Sequence, residues 1–397
     1  MEHVVIAGAS VAGLRAAEAL RTSGWAGRLI IVGAEPYPPY SRPQVSKQLL
    51  TGQRTVAETR LPAGALDAEW ILGVQVTTCD LGAGTVTLSD HRRLAFDGLV
   101  AATGVRPRRL PLPGHELSGV EYLRSADDAA RLRARLQAGG RLAVIGAGFI
   151  GAEVASAARK LGCAVTVIDP APAPMSAVLG DVAAGELAAL HGAHDVDLRM
   201  GRCAVAVHGT AAAEAVELDD GAVIPVDAVL IAVGSVPNIE WLDASDLDLS
   251  DGILCDSRCF VVGSDDRIVA AGDVARWPVV GSGGAAARVE HWSIAGEQGA
   301  AAGTALAVGR ALSVPFESLL RVTSRQHGAS LAILGRPAAA HQVDTTISSR
   351  PGKPRFVARY LDSSGRLVGA ATLNANAELA ALACELRGAG DSMAGAA

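Results

Sequence analysis

Aromatic residues are scarce in this chain of 397 residues, 4 % of the total, and charged residues make up only 19 %. A composition that is 50 % hydrophobic and so poor in charge excludes an intrinsically disordered protein, which would lack apolar residues and carry a high net charge. A basic excess is missing too: the formal net charge is −6, which excludes the electrostatic footprint of a nucleic-acid binder. No run of 18 residues is both apolar and uncharged, so no membrane span is expected. The first apolar run, Val4 to Ala7, has no basic region before it and no cleavage site after it, so no secretory signal is visible. These absences favour a soluble cytoplasmic protein. The six cysteines, Cys79, Cys163, Cys203, Cys255, Cys259 and Cys384, are scattered and contain no CxxC pair, so buried free thiols are expected rather than a redox pair or a disulfide framework.

What the chain does have is length for two or three domains at roughly 150 residues each, and an internal repeat. His3 to Ala7 reads as a buried strand, GASVAG follows at 8 to 13, a helix runs from Leu14 to Thr22, and a second strand, Leu29 to Val32, ends at Glu35. The pattern returns 138 residues later, with strand Leu142 to Ile145, GAGFIG at 146 to 151, a helix through Lys160, and strand Ala164 to Ile168 ending at Asp169. Two βαβ units imply two nucleotide sites.

In each copy the glycines permit a tight turn and let a pyrophosphate approach the backbone, where N–H groups at a helix N-terminus receive its charge. The carboxylate lies about 20 residues past the last glycine, at the distance where it accepts from ribose hydroxyls. The residues that carry this are Gly8, Ser10, Val11, Ala12, Gly13 and Glu35 in the first copy, and Gly146, Gly148, Phe149, Ile150, Gly151 and Asp169 in the second. Ser10 stands where a second glycine is usual. Pro170 follows Asp169 and no Lys or Arg appears until well past Asp181, so the second site is expected to prefer NADH over NADPH.

Between the copies, Leu81 to Val100 reads as antiparallel strands inserted before Ala101, and Thr103-Gly104 closes a strand. RPRRLPLPG at 106 to 114 suits a crossover between domains, and Ala228 to Val233 followed by Gly234 ends the second domain in the same way. Ile268 to Ala271 then leads into Gly272-Asp273, and Glu290, His291 and Trp292 precede an Ala/Gly helix. From Pro315 the pattern changes to short alternating strands, among them Arg355 to Leu361 and Leu367 to Leu373, with a last helical piece from Glu378 and an unstructured tail expected beyond Arg387. The expected fold class is α/β, two Rossmann-like dinucleotide-binding domains plus a C-terminal α+β domain.

GASVAG, PYSRPQVSK at 39 to 47, ATGVRPR at 102 to 108, GAGFIG with Glu153, AAGDVA at 270 to 275 and RVEHW at 288 to 292 occur in one order along nearly the whole chain. In that order the chain resembles the FAD-dependent pyridine-nucleotide reductases of the ferredoxin reductase type, a group with a glutathione reductase-like fold that includes putidaredoxin, rubredoxin and aromatic-dioxygenase ferredoxin reductases. The resemblance implies a discontinuous FAD-binding domain at 1–110 and 238–314, an NAD-binding domain at 111–237, a C-terminal α+β domain at 315–390 and a disordered tail at 391–397. It implies that Glu35, Arg42, Lys47, Thr103, Gly104, Arg124, Gly272, Asp273, Glu290, His291 and Trp292 join the first loop in holding FAD, and that Gly234 joins the second in holding NAD. It further implies catalytic roles for Lys47, Glu153 and Trp292, with Lys47 near the flavin ring, Glu153 pairing with it from the first turn of its helix, and Trp292 against the isoalloxazine edge. A cation near the flavin and a carboxylate for its polyol are what such a site needs chemically.

The implied reaction is hydride transfer from NADH to FAD, with no general base required. Without a CxxC pair the electrons leave by another route, which in the family is one at a time to an external iron–sulfur ferredoxin, [2Fe-2S] and acidic, that serves a cytochrome P450 or a Rieske-type oxygenase. Residues 321 to 366 hold eight Lys/Arg, Arg321, Arg325, Arg336, Arg350, Lys353, Arg355, Arg359 and Arg366, against Asp344 and Asp362, a basic segment that could steer such a partner. One run departs from the family: VTSRQHG at 322 to 328 stands where an aromatic-rich FWSDQY-like run is common, with Thr323, Arg325 and His327 in place of Trp, Asp and Tyr. Two other readings use the same cofactors, an NADH oxidase or peroxidase and a non-catalytic NADH-sensing flavoprotein resembling apoptosis-inducing factor. No nucleic acid or membrane partner is expected, and the chain is expected to act as a monomer or homodimer.

Overall fold

The computed structural model describes residues 1–64, 66–136, 138–279, 285–350 and 354–394. Among them are six α-helices, α1 (Val11–Thr22), α2 (Ala126–Arg135), α3 (Phe149–Lys160), α4 (Ser176–Gly192), α5 (Trp292–Val308) and α6 (Asn376–Ala394). No helix among the described residues is long and apolar enough to cross a membrane. The chain divides into two units, one made of Met1–Ser41, Val56–Arg106 and Val236–Ser318, the other of Arg42–Thr55, Pro107–Ser235 and Leu319–Ala397.

The first unit is built on a parallel five-stranded sheet in the order Ile268–Ala270, Gly98–Ala101, His3–Ala7, Arg28–Gly33, Glu69–Leu72. Val4, Val5, Ile6 and Ala7 are all fully buried, as strands covered on both faces must be. Helices α1 and α5 lie against each other, and two glycines set their separation. A Cβ at Gly299 would fall 2.2 Å from the Ala12 carbonyl oxygen, and one at Gly303 2.2 Å from that of Ala16. Of the stretch Leu81 to Val100, expected to form antiparallel strands, Thr85–Leu88 and Arg93–Ala95 do so, in a meander completed by Val76–Asp80 from before that stretch. Gly98 to Val100 belongs instead to the parallel sheet, where buried apolar residues suit a strand covered on both faces.

The second unit repeats the parallel sheet in the order Val196–Met200, Ala164–Asp169, Arg141–Ile145, Ala228–Ile231, Val120–Glu121. It has its own meander, Ala204–His208, Ala215–Leu218 and Val223–Pro225. The C-terminal strands form an antiparallel sheet ordered Arg321–Gln326, Ala329–Gly335, Leu367–Leu373, Phe356–Leu361, Gln342–Ile347. Leu179, Leu187 and Leu190 of α4 share one core with Leu331, Ile333, Phe356, Tyr360 and Leu373 of that sheet. Leu379 and Leu382 of α6 pack with Leu334, Leu367 and Ala370.

Two expectations change here. Helix α6 runs through Ala394, so the chain beyond Arg387 continues as helix: a helix already anchored through Leu379 and Leu382 needs no new nucleus, even across Gly388 and Gly390; residues 395–397 of the expected tail lie outside the described residues. The basic excess of 321 to 366 is also smaller than its sequence count. Arg355 pairs with Glu378, Arg359 with Glu385 at 2.6 Å, and Arg366 with Asp362 at 3.1 Å. Two of those three carboxylates come from α6, beyond the counted window, and Lys353 lies outside the described residues.

Candidate active site

The two glycine loops have the same backbone geometry. Gly8 has φ +128° and a Cβ there would lie 2.0 Å from the Ala102 carbonyl oxygen; Gly146 has φ +110° and its Cβ would lie 2.3 Å from that of Ala232. No other residue fits where strand, loop and the neighbouring strand's end come so close. Gly13 and Gly151 repeat this one turn later, each with a virtual Cβ 1.9 Å from the oxygen of Gly8 or Gly146. At the middle position the copies differ: a Cβ on Gly148 would meet nothing within 4 Å, and Ser10 places its side chain at the equivalent spot.

Ser10 and Gly148 are the N-caps of α1 and α3, and neither gives its helix a side-chain cap. Neither first turn contains an acidic residue, so both helix ends keep amide donors and a positive dipole end for an anion. Both loops thus fit a dinucleotide pyrophosphate. Val11 and Ala12 are buried behind the first loop, Phe149 packs toward the C-terminal sheet's core, and Ile150 is 41 % exposed.

Each repeat's carboxylate sits just past its strand. Glu35 Oε2 accepts from the Tyr40 hydroxyl at 2.6 Å. Asp169 accepts from the amide of Ala147, within the second loop, at 2.7 Å and from that of Ala171 at 2.8 Å. Space brings Asp169 a neighbour that chain order hid, since the Arg202 amide donates to its carbonyl at 3.2 Å; the Arg202 side chain, however, is paired with Asp220 at 2.7 Å.

Lys47 and Glu153, both in the second unit, meet. Lys47 lies in a single π-helical turn, Val45–Leu49, and its Nζ is 2.5 Å from Glu153 Oε2. Glu153 is 6 % exposed and accepts two further hydrogen bonds, from Ser46 Oγ at 2.5 Å and Ser324 Oγ at 2.7 Å. Ser46 and Ser324 were not anticipated, and no local pattern marks them. Glu153 is the fifth residue of α3, not part of its first turn, so a capping role is excluded and the dipole term that falls off within one turn does not account for it. Nearby, Arg42 donates to the Arg124 carbonyl at 2.8 Å, which joins two residues expected at the site. Gly234, with φ +101°, accepts from the Arg108 amide at 2.9 Å.

In the first unit, Thr103 and Asn238 clasp each other: the Thr103 hydroxyl donates to the Asn238 carbonyl at 2.7 Å, and the Asn238 side chain returns a bond of 2.9 Å. The Asn238 amide also donates to Gly104 at 3.0 Å. Gly272 wedges between the first turns of α1 and α5, where its Cβ would lie 3.0 Å from Ala12 and 3.5 Å from Ala295, and this sets half-buried Asp273 beside the first loop. Arg288 braces the segment through the Asp273 carbonyl at 3.0 Å and the Glu290 carboxylate at 2.7 Å. His291 caps α5 and bonds Ser293 Oγ at 2.9 Å, while Trp292 opens the helix half-buried and outside the core. Gln298, fully buried on α5, accepts from the Gly272 amide at 2.8 Å and leaves its Nε2 without a protein partner. A buried donor with no protein acceptor beside the loop fits a polar cofactor.

Residues 2–299 match the pyridine nucleotide-disulphide oxidoreductase family. The chain belongs to that family. Its members use FAD and NAD(H), and the chain is an oxidoreductase of this kind. Over 390 residues it is 36 % identical to the ferredoxin–NAD(+) reductase component of the p-cumate 2,3-dioxygenase system of Pseudomonas putida, covering 96 % of this chain and 92 % of that protein. It is 38 % identical to rhodocoxin reductase of Rhodococcus erythropolis over 71 % of this chain and 66 % of that one. The crystal structure of the covalent putidaredoxin reductase–putidaredoxin complex aligns with a TM-score of 0.87 and 31 % identity, over 95 % of this chain and 91 % of that chain.

In this member of the pyridine nucleotide-disulphide oxidoreductases burial keeps four of the six thiols from disulfide exchange. Cys79, Cys163, Cys255 and Cys259 are buried, and burial pushes Cys79 and Cys259 up to about 12 and Cys255 well above its ordinary value. The thiolate is the reactive form, so these groups are held inert. Cys203 and Cys384 are exposed.

Proposed function

We propose that the chain is an NADH-dependent flavoprotein reductase of the cytoplasm that passes electrons through FAD to an acidic [2Fe-2S] ferredoxin, which supplies a cytochrome P450 or a Rieske-type oxygenase. The observation that carries this reading is similarity along nearly the full chain to the ferredoxin–NAD(+) reductase component of a dioxygenase system. Two glycine loops with uncapped helix ends support a pair of dinucleotides on one polypeptide.

When bound, FAD supplies the exchange of a two-electron donor for one-electron acceptors. The chain's own residues bind and orient. The first loop would hold the FAD pyrophosphate, with Glu35 and Asp273 as acceptors for its hydroxyls and Gln298 Nε2 as a buried donor. The second loop would hold NADH, with Asp169 at the adenosine ribose, where a 2′-phosphate would be repelled. Lys47, held by Glu153, would keep a cation by the flavin, and Trp292 would lie at its edge. The inert buried thiols argue for an acceptor outside the protein.

The test uses the FAD-loaded enzyme in stopped flow. Rapid bleaching by NADH, rapid recovery with a [2Fe-2S] ferredoxin and slow recovery with oxygen are expected, together with ferredoxin-dependent reduction of cytochrome c. Recovery by oxygen as fast as by any ferredoxin in a panel would overturn the reading in favour of an oxidase, and a long-lived charge-transfer complex that no ferredoxin discharges would favour an NADH-sensing flavoprotein.

A further inference from the structure

The run Val322–Gly328, where the chain departs from its family's aromatic pattern, connects Glu153 to a cavity through four hydrogen bonds. Ser324 and Gln326 alternate along one strand and so share a face, 2 % and 1 % exposed. Ser324 Oγ is 2.7 Å from Glu153 Oε1, and Gln326 Nε2 is 3.2 Å from Ser324 Oγ. Gln326 Oε1 is 3.0 Å from Nε2 of His191, itself 1 % exposed on α4, and His191 Nδ1 is 3.1 Å from His327 Nε2.

The outer end is shaped with care. His327 and Gly328 form a two-residue hairpin turn with φ +49° and +81°, between Gln326 and its paired Ala329. Type I′ turns of this kind favour Asn-Gly, and a histidine in the left-handed region is uncommon. The conformation is secured by the His327 amide, which donates to Ser156 Oγ at 2.7 Å, and by His194, whose ring stacks on that of His327 at 4.2 Å. His194 and His327 line a cavity of about 650 Å³, together with Glu186, Arg355 and Asn374.

Hydrogen-bond inventory fixes the direction of every link. A carboxylate only accepts, so Ser324 donates to Glu153, and the Ser324 oxygen receives from the Gln326 amide. The remaining Gln326 oxygen can only accept, which places a proton on His191 Nε2 and leaves Nδ1 bare. His327 must then carry its proton on Nε2. Burial lowers the pKa of both rings, and the neighbouring rings of His191 and His194 together with the cations Lys160 and Arg159 further lower that of His327, which favours the neutral form that the hydrogen bonds require of each.

We propose that His327, His191, Gln326 and Ser324 form a one-way chain of donors that positions Glu153 against Lys47 from the side of the cavity. This rests on the reading of Lys47 and Glu153 as part of the nicotinamide–flavin site. The four are positioning residues, acting through Glu153. No proton travels the chain, because the Gln326 amide is a fixed donor at one end and a fixed acceptor at the other.

The test is nitrogen-15 NMR of the FAD-loaded enzyme labelled at histidine. At neutral pH, His191 and His327 are expected as neutral Nε2–H tautomers. Ser324→Ala removes the acceptor that orients Gln326, so the amide is free to turn and His191 becomes a tautomer mixture two hydrogen bonds from the change; Ser324→Thr keeps the hydroxyl and restores the single form. Gln326→Met, which severs the chain without touching Glu153, is read in the same way if Ser324→Ala does not fold. In parallel, Ser324→Ala slows flavin reduction by NADH by about tenfold, the loss expected for one hydrogen bond to a charged group, with KM for NADH unchanged. An Nδ1–H tautomer at His191 in the unaltered protein, or histidine spectra indifferent to both variants, overturns the chain. Failure of NADH to bleach the unaltered enzyme overturns the functional reading instead, and the spectra still decide the donor chain.

Discussion

Lys47 Nζ and Glu153 Oε2, 106 residues apart in sequence, lie 2.5 Å from each other with the carboxylate almost wholly buried. Removing one member of a buried pair strands the other without a partner and costs about 3 to 5 kcal/mol, whereas replacing both with apolar residues is often neutral. Lys47 keeps partial solvent access, so Glu153→Ala is expected to fall at the low end, about 3 kcal/mol in urea unfolding of the FAD-loaded enzyme, and Lys47→Met with Glu153→Met to recover most of it. In kinetics, Glu153→Ala should slow flavin reduction by NADH more than it slows electron exit to ferredoxin. Equal slowing of both half-reactions would place the pair in the fold and not in the chemistry.

Asp169 bears on coenzyme choice. Its carboxylate is held by two backbone amides, and the Arg202 side chain is committed to Asp220 rather than to Asp169. The enzyme is expected to favour NADH. Asp169→Asn keeps an acceptor oxygen for the loop while removing the repulsion, and should narrow the ratio of kcat/KM for NADH over NADPH by about tenfold, or 1.4 kcal/mol. An unaltered ratio would show that selectivity lies elsewhere.

The repeated βαβ units were legible because they rest on local rules: strands of unbroken apolar residues, glycines at positions such as Gly8 and Gly146 where backbone meets backbone, and a carboxylate just past the second strand. The surroundings of Glu153 were not. Ser324 reaches it from 171 residues away, and a serine in a strand carries no signal of what it faces. The π-helical turn around Lys47 and the clasp of Thr103 with Asn238 are likewise set by tertiary contacts. Counting charge along one window failed for the same reason, since Glu378 and Glu385 reach Arg355 and Arg359 from a helix outside it.

Tyr360 offers a stability test away from the proposed chemistry. Helix α4 breaks at Gly180, with φ +70° and ψ 170°, and the Leu179 carbonyl beside the break accepts from the Tyr360 hydroxyl at 2.8 Å. The bond is buried within the core shared by α4 and the C-terminal sheet. Tyr360→Phe should cost about 1 to 2 kcal/mol in chemical denaturation, the usual loss when a buried acceptor is left unsatisfied, with flavin reduction unchanged.

Thiol labelling separates this enzyme from disulfide-exchanging relatives. A thiol reagent added to the native protein should modify Cys203 and Cys384 and spare Cys79, Cys163, Cys255 and Cys259, with all six labelled in denaturant. NADH-dependent reduction of ferredoxin should survive the native labelling. Loss of activity in step with modification of a single cysteine, located by peptide mapping, would bring a thiol back into the electron path.

The histidine cluster gives stability a dependence on pH whose sign follows from burial. His327 is held down to about 3 from an ordinary value of 6.5, first by burial and then by His191, His194, Lys160 and Arg159, and His191 is lowered as well. The groups around His327 are thus cationic or neutral, with Glu186 the carboxylate that shares its cavity. Between about pH 6.5 and 3 the unfolded chain therefore binds more protons at these rings than the folded protein, so their contribution to stability is complete above 6.5 and declines as pH falls through that window. Carboxylates held low in the folded state add a loss of the same sign, but it begins only near their own unfolded values, at about pH 5 and below. The interval from pH 6.5 to 5 isolates the histidines. His327→Asn, which tolerates the left-handed turn and never titrates, should show a shallower fall in unfolding free energy across that interval than the unaltered protein. Parallel curves for the two would mean that the His327 ring accepts a proton in the folded state as readily as in the unfolded one.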